Sequence, residues 1–493
     1  MLMKKNHFFT YSKMIGVTFL GVVPFFLASC AQDGYDDDER FVLDTWNTKM
    51  VTPASDVITI TSNATGDKQT IAWPLVKGAG GFEMKLEDIT DPSAISVIYE
   101  GVVDGCSKLV SREDDTKYKL TLRALGNQSY GNTDADNTTT LEYSTFIESY
   151  DEIPVGDIAE FFEKNPLPAE LSDEEIVYDL VPGGEYTLSK TVDFGSYKVM
   201  LRGLSKTNRA KLELADGAYF SITAGLRLRA MEIDMSATDK ALITGSATPD
   251  ENIKGKTGTG DYYNITDPVA IQNCIVDGVK GNFIYDNNIK YCFKDLVIDN
   301  CDVHLTLSST TNVNGSAVIY FKAGFANDLT IQNSTFWNTG DSDSKYFVQY
   351  NNSGRATRAG YTTNSVNFIH NTFYNVVKST ADGQFCNYGG FSGQGKISCF
   401  SVTSNIFVDC GRGQIARRIL GGRTPNTYEK VLFGDNTYWH DGADNSKNES
   451  SYDNGYILTT DPAFVNAAQG DFTPQGAEQI QKQTGDPRWY GTN

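Results

Sequence analysis

Histidine is scarce in this chain of 493 residues, four in all, and positive charge is outweighed: 42 Lys and Arg stand against 62 Asp and Glu, for a formal charge of −20. A nucleic-acid partner is excluded by that balance, because a phosphate backbone calls for a basic surface. Neutral sugars are not. Long apolar runs are also missing. One run, Met14 to Leu27, falls short of the roughly 20 residues that a membrane-crossing helix needs, and no other segment could span a bilayer. Asp295, Asp299 and Asp302 are close in sequence, but nothing fixes them on one face, so no compact Asp cluster marks a Ca²⁺ loop. Only His304, His370 and His440 fall in the second half of the chain, which leaves a zinc site or a Ser-His-Asp set without support.

What the chain has instead is repetition. Between Val269 and Gly442 one phrase returns six times, as Ala270–Val276, Leu296–Val303, Leu329–Phe336, Val366–Phe373, Phe400–Phe407 and Val431–Tyr438. Its last apolar residues, Val276, Val303, Phe336, Phe373, Phe407 and Tyr438, are 27, 33, 37, 34 and 31 residues apart. A related copy, Leu226–Ile233, lies upstream. Repeats of this period mean stacked units. Each phrase alternates apolar and polar residues, as a half-buried strand does, and breaks at a residue that tolerates a tight turn. Those residues, Asn273, Asn300, Asn333, His370, Ser404 and Asp435, are expected to stack as a polar ladder. A further strand is expected after each phrase, at Phe283–Tyr285, Val318–Phe321, Phe347–Tyr350, Gly383–Phe385 and Gln414–Ala416. Two or three strands per coil predict an all-β, right-handed parallel β-helix. A leucine-rich repeat or a propeller fits less well, since Leu is not fixed in the pattern and no Trp-Asp or Gly-His signature recurs.

Eight cysteines are present. Cys274 and Cys301 hold equivalent places in adjacent coils, where a strand spacing of about 4.8 Å is compatible with a bridge and equally with stacked thiols.

At the amino end, Lys4 and Lys5 precede the apolar run, which closes in Leu27-Ala-Ser-Cys30. This resembles a bacterial lipoprotein signal, and the resemblance makes Cys30 the lipidated first residue of the mature chain. The stretch from Ala31 to Glu39 is acidic and nearly free of apolar residues, so it reads as a solvated tether. It resembles the export signal that sends Bacteroidota lipoproteins to the outer face of the outer membrane. The expected divisions are a signal at 1–29, a tether at 30–52, a sandwich at 53–148, and a β-helix with its cap at 149–493. Within the sandwich, Ile71–Trp73, Phe82–Leu86 and Tyr118–Ala124 resemble the second, third and sixth strands of a fibronectin type III domain, with Trp73 and Tyr118 as core residues. Ile158, Phe161 and Phe162 have helical spacing and predict a short helix that caps the first coil. The polar stretch from Ser236 to Thr266 interrupts the period and reads as an insertion on the outside.

The ending, with Asp461–Asn466, Gly470–Thr473 and Gly485–Arg488, resembles the closing segment of pectate-lyase-like β-helix proteins. Together these features resemble the β-helix surface lipoproteins that Bacteroidota encode beside glycan-uptake systems. The resemblance implies a polysaccharide partner, an outer-membrane anchor facing the cell exterior, and a place in a glycan-uptake complex. It implies a polysaccharide lyase acting on a uronate-containing glycan, which requires a base and a cation to neutralise the acid. A lyase of this kind uses Ca²⁺, though the sequence names no ligand set for it.

Candidate bases are Arg417, Arg418 and Lys322. Arg412, Arg417, Arg418 and Arg423 form a basic run with no acid between Asp409 and Glu429, and Arg355 and Arg358 follow an earlier strand. Arg423-Thr-Pro425 resembles the start of one pectate lyase motif, but Tyr428 stands where its second Arg belongs. The Gly-His-Gly and Arg-Ile-Lys segments of polygalacturonase-like β-helices do not occur. A binder needs less than an enzyme: exposed aromatic rings with polar neighbours. If Ile284, Ile319, Val348 and Ile415 point inward, alternation turns Tyr285, Tyr320, Lys322, Phe347, Gln349 and Arg418 outward; a shift of one residue would bury them. The substrate-binding candidates are therefore Tyr285, Tyr320, Phe347, Gln349, Arg355 and Arg412. A non-catalytic glycan-binding protein is the alternative to the lyase, and a structural or adhesive surface protein is the third reading.

Overall fold

The structure is a computed structural model that describes residues 45–491, except 64–67, 93, 114, 172, 256–260, 308–316, 342–344, 351–355, 378–384, 389–395 and 412–413. Cys30, Arg355 and Arg412 lie outside the described residues, as does the side chain of Arg358. No described helix is long and apolar enough to cross a membrane.

The first unit is an antiparallel sandwich. Thr59–Ser62, Lys68–Ala72 and Ser107–Ser111 make one sheet, and Ser96–Val103, Ala79–Asp88, Lys117–Gly126 and Thr139–Ser144 make the other, each in that spatial order. Alternation on the two long strands sends Phe82, Met84 and Leu86, and Tyr118, Leu120 and Leu122, into the core between the sheets. Trp73 joins them edge-on to Phe82, with ring centroids 5.2 Å apart. The Tyr118 hydroxyl donates to the Glu113 carbonyl at 3.2 Å and accepts from the Glu113 N–H at 2.7 Å.

From Asp151 onward the chain winds through three parallel sheets, giving each a strand in turn, so that the coils stack as in a β-helix. The first sheet runs from Asp151–Ile153 to Lys430–Gly434 and the second from Gly156–Asp157 to Asn436–His440. The third runs from Val192–Asp193 to Cys386–Asn387. The helix Ile158–Lys164 covers the open end of the first coil, with Phe161 and Phe162 edge-on to Tyr178. The Asp157 carboxylate caps it by accepting from the N–H groups of Ala159 and Glu160 at 2.7 and 3.2 Å, which satisfies donors that the helix leaves unpaired.

Between the first and second sheets the chain turns on one left-handed residue. Ala230, Asn273, Asn300, Asn333, His370, Ser404 and Asp435 all take φ between 50° and 57°, a conformation that Asn and Asp tolerate best. Asn273, Asn300, Asn333, His370, Ser404 and Asp435 are the residues that the sequence suggests as a ladder, and one link of it is present among the described residues: Asn300 Nδ2 donates to Asn273 Oδ1 at 2.6 Å, whereas Asn333 Nδ2 donates to Asp299 Oδ1 at 3.0 Å. The continuous ladder stands one residue later. There Cys301, Ser334, Asn371, Asn405 and Asn436 are buried, and each residue donates its backbone N–H to the side-chain oxygen of the next, at 3.0 to 3.1 Å. The turn residue points its side chain away, so the inward polar position belongs to its neighbour. Beside this ladder Phe336, Phe373, Phe407 and Tyr438 stack coil on coil, with centroids 5.8, 5.1 and 5.5 Å apart. Cys274 and Cys301 are free thiols. Each donates to backbone carbonyls, at 3.3 Å to Gln272 and to Ile271 respectively.

The last coil departs from expectation. Gln414–Ala416 reads as a strand, yet Ile415–Ile419 is a helix that buries Ile415, Ala416 and Ile419 over the end of the core. Its first two N–H groups, on Ile415 and Ala416, donate to the two carboxylate oxygens of Glu449 at 2.7 and 2.8 Å. That cap comes from far along the chain, beyond the reach of a local pattern.

Two faces of the stack are covered. The sandwich docks on the outer side of the first sheet, where Arg202, almost wholly buried, pairs with Asp115 at 2.8 Å and Asp179 at 2.7 Å, and its guanidinium lies 4.5 Å from the Phe146 ring centroid. Arg229 pairs with the other oxygen of Asp115 at 3.4 Å. The chain from Asp461 to Tyr490 returns along the outer side of the second sheet as a strap. Phe472 packs on Trp337 and Tyr374, and Trp489 donates to Thr335 Oγ1 at 2.8 Å. Gly485 passes so close that a Cβ there would stand 2.8 Å from Ile406 and Thr372 atoms, and its φ is +88°.

Candidate functional site

The third sheet carries the outward row proposed from alternation. Coil-to-coil pairing aligns Asp193, Ser221, Thr244, Tyr285, Tyr320, Gln349 and Asn387 in one row. The preceding residues, Val192, Phe220, Ile243, Ile284, Ile319, Val348 and Cys386, belong to the main core. The first row lies outside that core, yet Ser221, Thr244, Tyr320 and Gln349 on it are buried, which leaves Tyr285 as its half-buried ring.

Tyr285 and Tyr320 stack with ring centroids 5.8 Å apart and planes 21° from parallel. With Ala317 and Tyr346 they form an apolar cluster separate from the core. Tyr285 is half-buried, while Tyr320 and Tyr346 are largely covered. Burial, followed by the nearby Asp286 and Tyr320, pushes the Tyr285 hydroxyl up to about 12, so it stays neutral. Behind the stack, Asp286 is buried and accepts from the N–H groups of Ala323 and Gly324, both at 2.7 Å. Burial outweighs those bonds and raises its carboxyl to about 6. Asp286 thus anchors the turn after the Tyr320 strand. Lys322 lies exposed at that turn.

The terminal helix brings a basic group to the same neighbourhood. Arg418 is half-buried, and burial and then Arg417 lower its pKa, while Tyr346 and Tyr452 act the other way. Arg417 donates to Gln414 Oε1 at 2.8 Å and lies 5.9 Å from the Tyr452 ring centroid. Tyr285, Tyr320 and Tyr346 therefore form one cluster, with Gln349 next to Tyr320 in the row and Arg418 near enough to feel the charge of Tyr346. Tyr346 was invisible as a member because its strand is buried from end to end and shows no alternation.

Phe347 does not belong to the row. It is fully buried in the helix core, 5.0 Å from Phe336 and 5.1 Å from Phe373 between ring centroids. Both Phe347 and Val348 join the core, so strict alternation fails at this strand. Arg417 and Arg418 sit on a helix rather than on the expected strand, which places them at the end of the row instead of within it.

A second arrangement escaped the sequence reading. On the outer side of the second sheet, His304 Nδ1 lies 2.5 Å from Asp277 Oδ1 and its Nε2 lies 2.7 Å from Thr339 Oγ1. The imidazole stacks on Trp337 at 3.8 Å, and Trp337 Nε1 donates to Asp302 Oδ1 at 3.1 Å. The carboxylate, ring and hydroxyl come from three successive coils, so only the register brings them together. They bind the coils to one another at the edge of the strap.

Three family models match the chain in tandem. DUF4992, described as a domain of unknown function, covers residues 3–183, DUF4957 covers 184–339 and DUF5123 covers 329–489, both described in the same words. The first spans the sandwich and the opening coil, the second includes Tyr285 and Tyr320, and the third includes Tyr346, Gln349 and Arg418. No curated protein gives a significant match.

Proposed function

We propose that this chain is a lipid-anchored surface protein of the outer membrane that captures an anionic, uronate-containing glycan along the outward row of its third sheet. The observation that carries the reading is the stacked pair Tyr285 and Tyr320, set outside the core in one cluster with Tyr346. Tyrosine faces offer flat apolar area to sugar rings, and their hydroxyls give hydrogen bonds. Because Tyr285 stays neutral, it adds no charge to repel an acidic sugar. Lys322 and Arg418 supply local positive charge on a protein whose formal charge is −20. The tandem family arrangement, typical of Bacteroidota surface proteins, supports the surface location. Leu27-Ala-Ser-Cys30 supports the lipid anchor. The sheet order of the sandwich, three strands against four with Trp73 and Tyr118 in the core, supports a fibronectin type III-like unit. The single-residue turns and stacked aromatic column support a right-handed, pectate-lyase-like helix.

The second reading is a polysaccharide lyase with Ca²⁺. Arg418 favours it, because a guanidinium pushed below its ordinary pKa is nearer to serving as a base. Arg417 and Lys322 would then assist in neutralising the substrate acid.

One experiment separates the readings. The chain is incubated with uronate polysaccharides, with Ca²⁺ and then with chelator, while ultraviolet absorbance is followed and gel migration through the same polysaccharides is measured. Capture predicts retarded migration and a flat absorbance trace, with retardation weakened about tenfold in Tyr285→Ala. Rising absorbance that disappears in Arg418→Ala would establish β-elimination. Unretarded migration with a flat trace would remove both readings and leave a structural or adhesive protein.

A further inference from the structure

A third group of chemistry-bearing side chains lies away from the tyrosine row, where the last two coils leave the second sheet. Asp409 follows the strand Ile406–Val408, His440 ends the strand Asn436–His440, and Asp441 follows it. Asp409 and Asp441 both occupy left-handed turn positions, with φ of 50° and 51°. Two backbone bonds lock them together: the Asp409 N–H donates to the Trp439 carbonyl at 2.9 Å, and the Asp441 N–H donates to Asp409 Oδ1 at 2.7 Å.

The arrangement brings one donor atom from each residue to within 4.8 Å of the others. His440 Nδ1 stands 3.5 Å from Asp409 Oδ1, and Nε2 stands 3.2 Å from Asp441 Oδ2. Donors held about 2.1 Å from one ion at tetrahedral angles lie roughly 3.4 Å from each other, which the Nδ1–Asp409 separation matches; the Asp441 distance is to the other ring nitrogen. His440 Nδ1 is shielded from solvent and has no hydrogen-bond partner. A buried ring nitrogen with nothing to bond is uncommon, and here it faces a carboxylate oxygen. Among the described residues no Lys or Arg pairs with either carboxylate.

We propose that Asp409, His440 and Asp441 bind a divalent cation of the Zn²⁺ class. Nδ1 of His440 and the backbone-locked Asp409 form the preset pair, because one ring nitrogen serves one ion. The exposed Asp441 carboxylate, whose only side-chain partner among the described residues is the other ring nitrogen, turns to supply the third ligand and leaves a side open to water. Ca²⁺ takes oxygen ligands, whereas a neutral imidazole suits zinc and its neighbours. The ion would tie the last two coils at their turn, independently of any glycan on the third sheet.

The test is calorimetric titration of the metal-stripped full chain with Zn²⁺ and, separately, with Ca²⁺, repeated on His440→Gln and Asp441→Asn. Expected are one equivalent of Zn²⁺, binding weakened at least tenfold in each variant, and a Zn²⁺-dependent rise in thermal midpoint that both variants lose. Asp441→Asn alters only an exposed side chain, so it reports on the site even if His440→Gln disturbs the fold. Failure to take up Zn²⁺, Zn²⁺ uptake unchanged in Asp441→Asn, or Ca²⁺ binding as tight as Zn²⁺ would each overturn the assignment.

Discussion

Asn405 Oδ1 accepts two bonds from Asn371, one from the backbone N–H and one from Nδ2, both at 3.0 Å. Asn405 in turn gives the same two bonds to Asn436, again at 3.0 Å. Its Nδ2 also donates to the Phe368 carbonyl at 2.8 Å. Asn405→Ala would leave the buried Asn371 N–H without its acceptor and would take one bond each from Asn371 Nδ2, Asn436 Oδ1 and the Phe368 carbonyl, while the backbone bond from position 405 to Asn436 remains. The expected loss is about 3 kcal/mol, read as a fall in urea midpoint with unchanged slope.

Asp115 joins the sandwich to the β-helix through Arg202 and Arg229. Asp115→Asn keeps a residue that tolerates the φ of 46° at this position, so its effect reports charge rather than strain. Removing the Asp115 charge takes away the anion that two buried guanidiniums share, although Arg202 keeps Asp179. The expected result is a loss of about 3 kcal/mol and separation of sandwich and helix unfolding into two transitions in calorimetry.

Glu449 couples the terminal helix to pH. Burial raises its carboxyl from 4.5 to about 7, against the pull of its two N–H bonds. Between those values the folded chain holds a proton that the unfolded chain has released, so stability falls as pH rises through this window. Asp286 and Asp486, each raised to about 6 by burial, add to the same trend from about pH 4 upward. Urea midpoints should therefore decline from pH 4.5 to 7.5. In Glu449→Gln the decline should be shallower.

Gly485→Ala would set a side chain against Ile406 and Thr372 in a left-handed conformation. The strap should lift from the second sheet, and limited proteolysis should cut between Asp461 and Tyr490 faster than in the wild type. The tyrosine row is on another sheet, so glycan retardation should not change.

The repeat phrases made the stacking legible because the later first-sheet strands alternate between buried and half-buried residues, as Leu329–Gln332, Asn364–Ile369 and Ser398–Thr403 show. The third sheet was less so. Ala317–Phe321 and Tyr346–Tyr350 are buried along their whole length, and a strand covered on both sides loses the alternation that sets its facing. Tyr285 and Tyr320 could be placed through Ile284 and Ile319, whereas Phe347 could not. The polar ladder stands one residue after the position that the sequence suggests, since a turn residue and its neighbour are commonly both polar and only the left-handed φ tells them apart. The Asp277, His304 and Thr339 row depends on two connections of unequal length, 27 and 35 residues, which no local pattern records. Glu449 reaches its helix from 34 positions away, counted to Ile415.

The sandwich covers the outside of the first sheet in its early coils, and the strap covers the second sheet in its late ones. Among the described residues neither of them reaches the third sheet, where Tyr285 is the half-buried ring and Ser221, Thr244, Tyr320 and Gln349 are buried. Along it the outward positions recur once per coil, about every 4.8 Å, a step comparable to the length of one sugar ring in a chain. A glycan lying parallel to the stacking axis would thus be measured by the coils themselves, and adding or losing a coil would lengthen or shorten the segment recognised without redesigning any contact.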